Sequence, residues 1–223
     1  MSIRYRDRVH AGQMLALRLL TYAGRPNTIV LALPRGGVPV GHEVARTLGL
    51  PLDVFVVRKI GVPDQPELAM GAIASGGAIA RNEEVIRALG IDDAEFQRQA
   101  RREAREVVRR EQAYRDGLPP PDVADKTVLL VDDGLATGST MKAAVRALRQ
   151  MGPARIIVAV PVAAAPTCDD LAIEADECLC DQVPEPFRAV GLWYDDFSQT
   201  TDEEVRELLA RSRGTHALDP TSS

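Results

Sequence analysis

The chain has 223 residues, 45% of them hydrophobic and 26% charged, which supplies core material for one large or two small globular domains. Its formal charge of −5 and pI near 5.3 argue against a general nucleic-acid binder, whose footprint is basic. No apolar run approaches the roughly 18 residues of a membrane span. The charged start, MSIRYRDRVH, lacks the apolar stretch of a secretory signal, so the expected setting is the cytoplasm.

From Asp7 to Tyr22, Val9, Met14, Leu17 and Leu20 fall close to helical spacing, and Gly24, Pro26 and Asn27 end the segment. Thr28 to Leu33 (TIVLAL) reads as a short strand, followed by the turn PRGGVPVG and a helical stretch that closes at Gly49. Leu52 to Val57 reads as a second strand. Strand, glycine-rich turn, helix and strand make a βαβ unit, hence a parallel sheet with a right-handed crossover.

Arg58 to Glu67 (RKIGVPDQPE) is rich in Pro, Gly and charge and reads as an exposed, mobile loop. Leu68 to Ala80 reads as a hairpin turning at Ser75-Gly76-Gly77. Asp92 to Asp116 is strongly helical, with a thin apolar stripe of Phe96, Ala100, Ala104 and Val108. Its arginines either attract phosphate or, as the preferred reading, form a solvated face with intrahelical pairs such as Glu106 and Arg110. A second alternating section follows GLPPPD: a strand to Val131, a loop to Ser139, a helix from about Thr140 to Met151 and the strand RIIVAVPV. A helix near Pro166 to Glu174 and a short strand ECLC complete it. Thr201 and Glu204 have capping-box spacing for a last helix to about Arg211.

Cys168, Cys178 and Cys180 are an odd number without framework spacing, and His10, His42 and His216 lie far from them in sequence. A structural zinc site takes four ligands, so the cysteines read as same-face residues of a short strand.

The most informative stretch is VLLVDDGLATGST, Val128 to Thr140: an apolar strand that ends in two acids and turns through small hydroxylated residues into a helix. Open α/β sheets bind ligands at the carboxyl ends of their strands, and the backbone N–H groups opening a helix suit an anion. Thr137 to Thr140 would hold one phosphate, while Asp132 and Asp133 would accept hydrogen bonds from vicinal sugar hydroxyls. A Walker A loop requires a Lys that is missing here. A phosphoacceptor receiver, by resemblance to that family, would need a late Lys, and the last Lys is Lys142.

These residues resemble the PRPP-binding signature of the type I phosphoribosyltransferases, and the βαβ pattern supports the likeness over roughly residues 28 to 182. The resemblance implies a mainly parallel twisted sheet flanked by helices, an α/β fold. Residues 28–182 would form the core, including a flexible loop and helical arm at 58–117. Residues 183–212, with or without the N-terminal helix of 1–27, would form a small hood, and 213–223 a frayed tail. It further implies that Asp132 and Asp133 hold the ribose hydroxyls and that Ala136, Thr137, Gly138, Ser139 and Thr140 wrap the 5′-phosphate. LPRGG falls where such enzymes carry the pyrophosphate loop, with Arg35, Gly36 and Gly37 as contacts and an unusual cis peptide there. Arg58 and Lys59 match a pair that begins the family's catalytic loop, and Glu67 is a candidate acid or base. Mg²⁺ would be held mainly through PRPP rather than by a protein site.

The implied reaction is transfer of a phosphoribosyl group from PRPP to a nitrogenous base, releasing pyrophosphate. Ala136 stands where 6-oxopurine enzymes often carry an Asp, so the acceptor stays open. Phe187 and Trp193 either stack on a planar base or pack in the core. The implied partners are PRPP, a small base and a second copy in a homodimer, with neither membrane nor nucleic acid. The alternative is a non-catalytic PRPP- or nucleotide-sensing regulator on the same fold. Retention of Arg35 to Gly37 and of Arg58 and Lys59 favours the enzyme.

Overall fold

A computed structural model describes residues 4–63 and 65–216. Its centre is a five-stranded sheet built from β1 (Thr28–Ala32), β2 (Leu52–Val54), β6 (Thr127–Val131), β7 (Arg155–Val162) and β8 (Glu177–Gln182). The spatial order is β2-β1-β6-β7-β8 and every pairing is parallel. Strand residues alternate between two covered faces, which is why they read as unbroken apolar runs. Val30, Ala32, Leu129, Val131, Ile157 and Ala159 meet α1 (Arg8–Arg18) and α2 (Gly37–Leu48). Leu31, Leu130, Val158 and Val160 meet α5 (Ser139–Arg149) and α6 (Ala165–Glu174). The order reverses between β1 and β6, which places a crevice at their carboxyl ends.

The segment Arg58 to Glu67 is not an irregular loop. β3 (Val57–Val62) and β4 (Gln65–Ala74) form an antiparallel hairpin, and β5 (Ile79–Arg81) completes a second, three-stranded sheet. Ile60, Val62, Met70 and Ile73 bury one face of it, while the register shifts around Gly61. Pro, Gly and charge disguised two strands whose apolar face points inward. The turn at Ser75–Gly77 stands where expected. Glu67 belongs to β4, but its side chain lies outside the described residues.

Helix α1 forms where expected, with Asp7 accepting the His10 N–H as its cap, but its buried face differs. Val9, Met14, Leu17 and Leu20 are exposed, and Ala11, Gly12, Leu15, Ala16 and Leu19 are buried. The reason is a close helix crossing: a Cβ on Gly12 would stand 2.7 Å from the Val40 carbonyl oxygen. Small residues let α2 approach, and a search for large apolar residues misses them.

The long helix α4 (Asp93–Arg115) is capped by the Asp92 side chain and packs on β3, β4 and α7 (Asp202–His216). Its stripe runs through Phe96, Ala100 and Val107, while Val108 is exposed. Glu106 pairs with Arg109 and Arg110 as the charge pattern implied. The capping box of α7 is formed, Thr201 Oγ1 accepting from Glu204 N–H and Thr201 N–H donating to Glu204. That helix runs past Arg211 to His216, so the expected tail begins inside it, and 217–223 lie outside the described residues. No described helix is long and apolar enough to cross a membrane.

Candidate active site

The exits of β1 and β6 are joined by the Leu33 N–H, which donates to the Val131 carbonyl at 2.9 Å. Two segments far apart in sequence, Leu33 to Gly37 and Asp132 to Asp133, thereby share one crevice. The Pro34–Arg35 peptide is cis, as the resemblance implied. A Cβ on Gly36 would stand 2.0 Å from Asp133 Oδ2, and one on Gly37 would stand 2.9 Å from Asp132 Cα. Only bare backbone fits against the two acids. Arg35 is partly exposed, with Nη1 3.6 Å from Asp202 Oδ1, which also accepts from the Tyr114 hydroxyl.

Asp132 is driven well above the usual carboxylate range, first by burial and then by the charge of Asp133. The Asp133 N–H, donating to Asp132 Oδ1 at 2.9 Å, offsets only part of this. Asp133 is also raised by burial, against the pull of the Arg8 guanidinium. An acid whose folded pKa is raised binds an extra proton in the folded state, so stability falls as pH rises. The fall starts near the ordinary Asp value of about 3.9 and ends at the raised folded value. Asp132→Asn, which keeps the Oδ1 acceptor, is therefore expected to raise the melting temperature at pH 7. The gain should shrink as pH falls from that raised value toward about 4 and be gone below it. Thermal melts across pH check this, and a gain that grows on acidification would contradict it.

Arg8, at the start of α1, lies directly over the pair. Its Nε and Nη2 both stand 2.8 Å from Asp133 Oδ2, and Nη1 donates to the Ser198 carbonyl at 2.6 Å. The guanidinium also stacks on Phe197, 3.9 Å from the ring centroid. Only 11% of the Arg8 side chain and 15% of the Asp133 side chain reach solvent. The Tyr194 hydroxyl donates to the Asp133 carbonyl at 2.6 Å, and Tyr5 and Tyr194 form a parallel bridge. Residues 4–8 and 190–198 thus meet above Asp133. Arg8, Tyr194 and Phe197 did not stand out in the sequence. Their partners are 61 to 190 residues away, and no local signal marks them.

The phosphate-loop candidate follows. Ala136, Thr137, Ser139 and Thr140 are exposed, and Gly138 is buried. Gly138 has φ 65°, and a Cβ there would stand 2.4 Å from Thr167 Cγ2. No side chain caps α5, so the N–H groups of its first turn remain available to an anion. Thr167, from α6, donates to the Ala136 carbonyl at 2.6 Å and holds the loop from behind. Thr167→Val keeps the methyl against Gly138 and removes the donor. A neutral hydrogen bond contributes about 1 kcal/mol, so the loop's affinity for a phosphate ester should fall roughly fivefold in a calorimetric titration.

Two cavities flank this loop. One of about 650 Å³ is lined by Arg58, Lys59, Gln99, Arg102, Glu103 and Thr140 among others. The second, of about 500 Å³, reaches from Lys59 and Arg81 to Thr137, Ser139 and Lys142. Arg58 is held by Glu103 at 2.8 Å, and Lys59 is exposed on β3. Arg102 of α4 joins them, so part of that helix's basic face borders this cavity. Neither cavity is lined by Asp132 or Asp133. Phe187 and Trp193 pack against the small cluster of Tyr5, Ala11, Val162 and Tyr194. The indole N–H of Trp193 is buried and finds no acceptor among the described residues.

Known proteins resemble this chain. The family model described as phosphoribosyl transferase domain matches residues 7–195. Two Mycobacterium tuberculosis proteins, from strains CDC 1551 and H37Rv and provisionally named phosphoribosyl transferase, are each 43% identical over 206 residues. Those alignments cover 92% of this chain and 46% of each relative, so the chain spans about half the length of the curated relatives it matches. The crystal structure of TT1426 from Thermus thermophilus is 42% identical with a TM-score of 0.85, covering 94% of this chain and 99% of that one. With the family model spanning most of its length over the Asp-Asp crevice and phosphate loop, the chain belongs to the phosphoribosyl transferase family.

Proposed function

We propose that the protein transfers the 5-phosphoribosyl group of PRPP to a nitrogenous base and releases pyrophosphate. The observation that carries this reading is the crevice where Gly36 and Gly37 meet Asp132 and Asp133, with the uncapped start of α5 following in the chain. In it, Asp132 and Asp133 accept the ribose hydroxyls, the loop Ala136 to Thr140 takes the 5′-phosphate, and Arg35 with the bare amides of Gly36 and Gly37 takes the pyrophosphate. Two crowded carboxylates, both raised in pKa, favour a ligand that brings hydroxyl donors or positive charge. Hard oxygen donors of this kind fit Mg²⁺ held through PRPP, which would neutralise charge on the leaving pyrophosphate.

The chain's own residues position and screen the reactants. Arg58, Lys59 and Arg102 line the cavity beside Thr140 and supply positive charge for phosphoryl oxygens. The transition state at ribose C1 has oxocarbenium character, and its positive charge would favour the ionised form of the crowded Asp pair, which stabilises it in turn. No protein nucleophile is needed. Glu67 remains the proposed acid or base, and Phe187 and Trp193 the proposed aromatic wall of the acceptor. Residues 183–212 with the N-terminal helix form the hood, and the assembly is a homodimer in the cytoplasm.

Because Arg8 saturates Asp133 Oδ2, ribose binding requires the guanidinium to share or leave that oxygen. Incubation with Mg²⁺ and PRPP against purines, pyrimidines and heteroaromatic amides tests the reading. Pyrophosphate release that depends on a base supports it. PRPP bound but unconsumed with every base would favour a sensor instead.

A further inference from the structure

On β8, Tyr22 donates to Glu177 and Tyr5 to Asp181, which places the odd-numbered side chains on the α1 side. By alternation, Cys178 and Cys180 face α6, where Cys168 meets them. Cys168 and Cys180 are disulfide-bonded, and Cys178 keeps a free thiol. The Cys178 sulfur is 3.8 Å from each of the other two. Among the described residues, the three sulfurs form a cluster within 4.8 Å.

A pair of cysteines is enough to bond α6 to β8, so the third thiol has no part in that link. Its distances match a different chemistry. Two thiolates sharing one ion at about 2.3 Å each stand roughly 3.7–4.0 Å apart. Two of the three sulfur–sulfur edges already have that length, and reduction of the bonded pair frees the third edge to open. The sulfurs are half-buried beside the core that α5 and α6 share with the sheet, which limits solvent competition.

We propose that reduced Cys168, Cys178 and Cys180 form a three-thiolate site for a thiophilic d10 cation of the Zn²⁺ type. Reduction consumes two thiols of an external reductant, R–SH. The Cys168–Cys180 bond becomes two cysteine thiols, and R–S–S–R forms. Binding then releases three protons as three sulfur–metal bonds form, and a fourth position stays open to water or an added ligand. The ion replaces the disulfide as the tie between α6 and β8. Thr167, adjacent to Cys168, holds the Ala136 carbonyl, so the same tie steadies the phosphate loop. This site does not depend on the transfer reaction proposed above.

The test uses the full chain, reduced with a phosphine, freed of reductant and titrated without oxygen. Co²⁺ reports sulfur ligation through thiolate charge-transfer bands, and Zn²⁺ then displaces it. Wild type should bind one equivalent with those bands, and Zn²⁺ should restore the melting temperature lost on reduction. Cys178→Ser retains both disulfide partners and so tests the site separately from folding. Its affinity should fall by a factor on the order of 100. Oxidised wild type should show no bands. Absence of bands in reduced wild type, or equal bands in Cys178→Ser or in the oxidised protein, would overturn the proposal.

Discussion

Asp132→Asn combined with Asp133→Asn is expected to abolish PRPP binding while leaving a folded protein. Each carboxylate is proposed to accept from a ribose hydroxyl, and hydrogen bonds to charged groups contribute about 1.5–3 kcal/mol each. Losing both corresponds to a roughly 100-fold to 10⁴-fold weaker dissociation constant. The fold should survive because the acids oppose it: burial and mutual repulsion raise the pKa of Asp132. The same groups that would bind the ligand therefore cost the fold stability, as active-site groups commonly do. Calorimetry with PRPP and Mg²⁺, beside a thermal melt of the same samples, separates the two effects. Wild-type affinity in a folded double variant would remove the ribose assignment.

The second large effect concerns stability. Arg115 ends α4 with its side chain 1% exposed, tying that helix to the sheet edge. Its Nε donates to Asp53 at 2.9 Å, Nη1 to Glu111 at 2.5 Å and Nη2 to the Val54 carbonyl at 2.6 Å. Asp53 and Glu111 are themselves 15% and 13% exposed. Arg115→Met fills the space but strands both carboxylates. Breaking such a buried network costs about 3–5 kcal/mol, or roughly 6–20 °C in melting temperature for a chain of this size. Adding Asp53→Asn and Glu111→Gln should recover part of the loss, because the stranded charges cause most of it. A single Arg115→Met variant that melts with the wild type would refute the network's role.

Arg115 also shows what a sequence conceals. As one of many arginines on a charged helix it resembles surface decoration, and only tertiary packing reveals that it is buried. The parallel core was easy to read, because β1, β6 and β7 are covered on both faces and their apolar runs are continuous. The Asp132 to Thr140 stretch was equally legible, since strand, acids, turn and helix are consecutive. The hairpin β3–β4 was hidden by Pro63, Gly61 and the charges of Arg58 and Lys59. The buried face of α1 was hidden because Ala11, Gly12 and Ala16 make a close crossing without bulk. Arg8 and Phe197 meet across 189 positions, and Cys168 reaches β8 only through the fold. Local pattern can expose none of these.

These contacts define the surroundings of Asp133. Arg8 lies between Phe197 and Asp133, and Tyr194 secures the Asp133 carbonyl. The phosphate loop remains open, with Arg58, Lys59 and Arg102 lining the space beside it. A ligand anchored first by its 5′-phosphate could then compete with Arg8 for Asp133.

The most direct test of phosphoribosyl transfer is identification of the product. Protein, Mg²⁺, PRPP and each base of a panel would be incubated together and analysed by mass spectrometry. Phosphoribosyl transfer predicts a base–ribose 5-phosphate adduct formed in step with pyrophosphate, and none with Asp132→Asn/Asp133→Asn. Pyrophosphate release that yields only ribose 5-phosphate with every base, or equal adduct from the double variant, would contradict it.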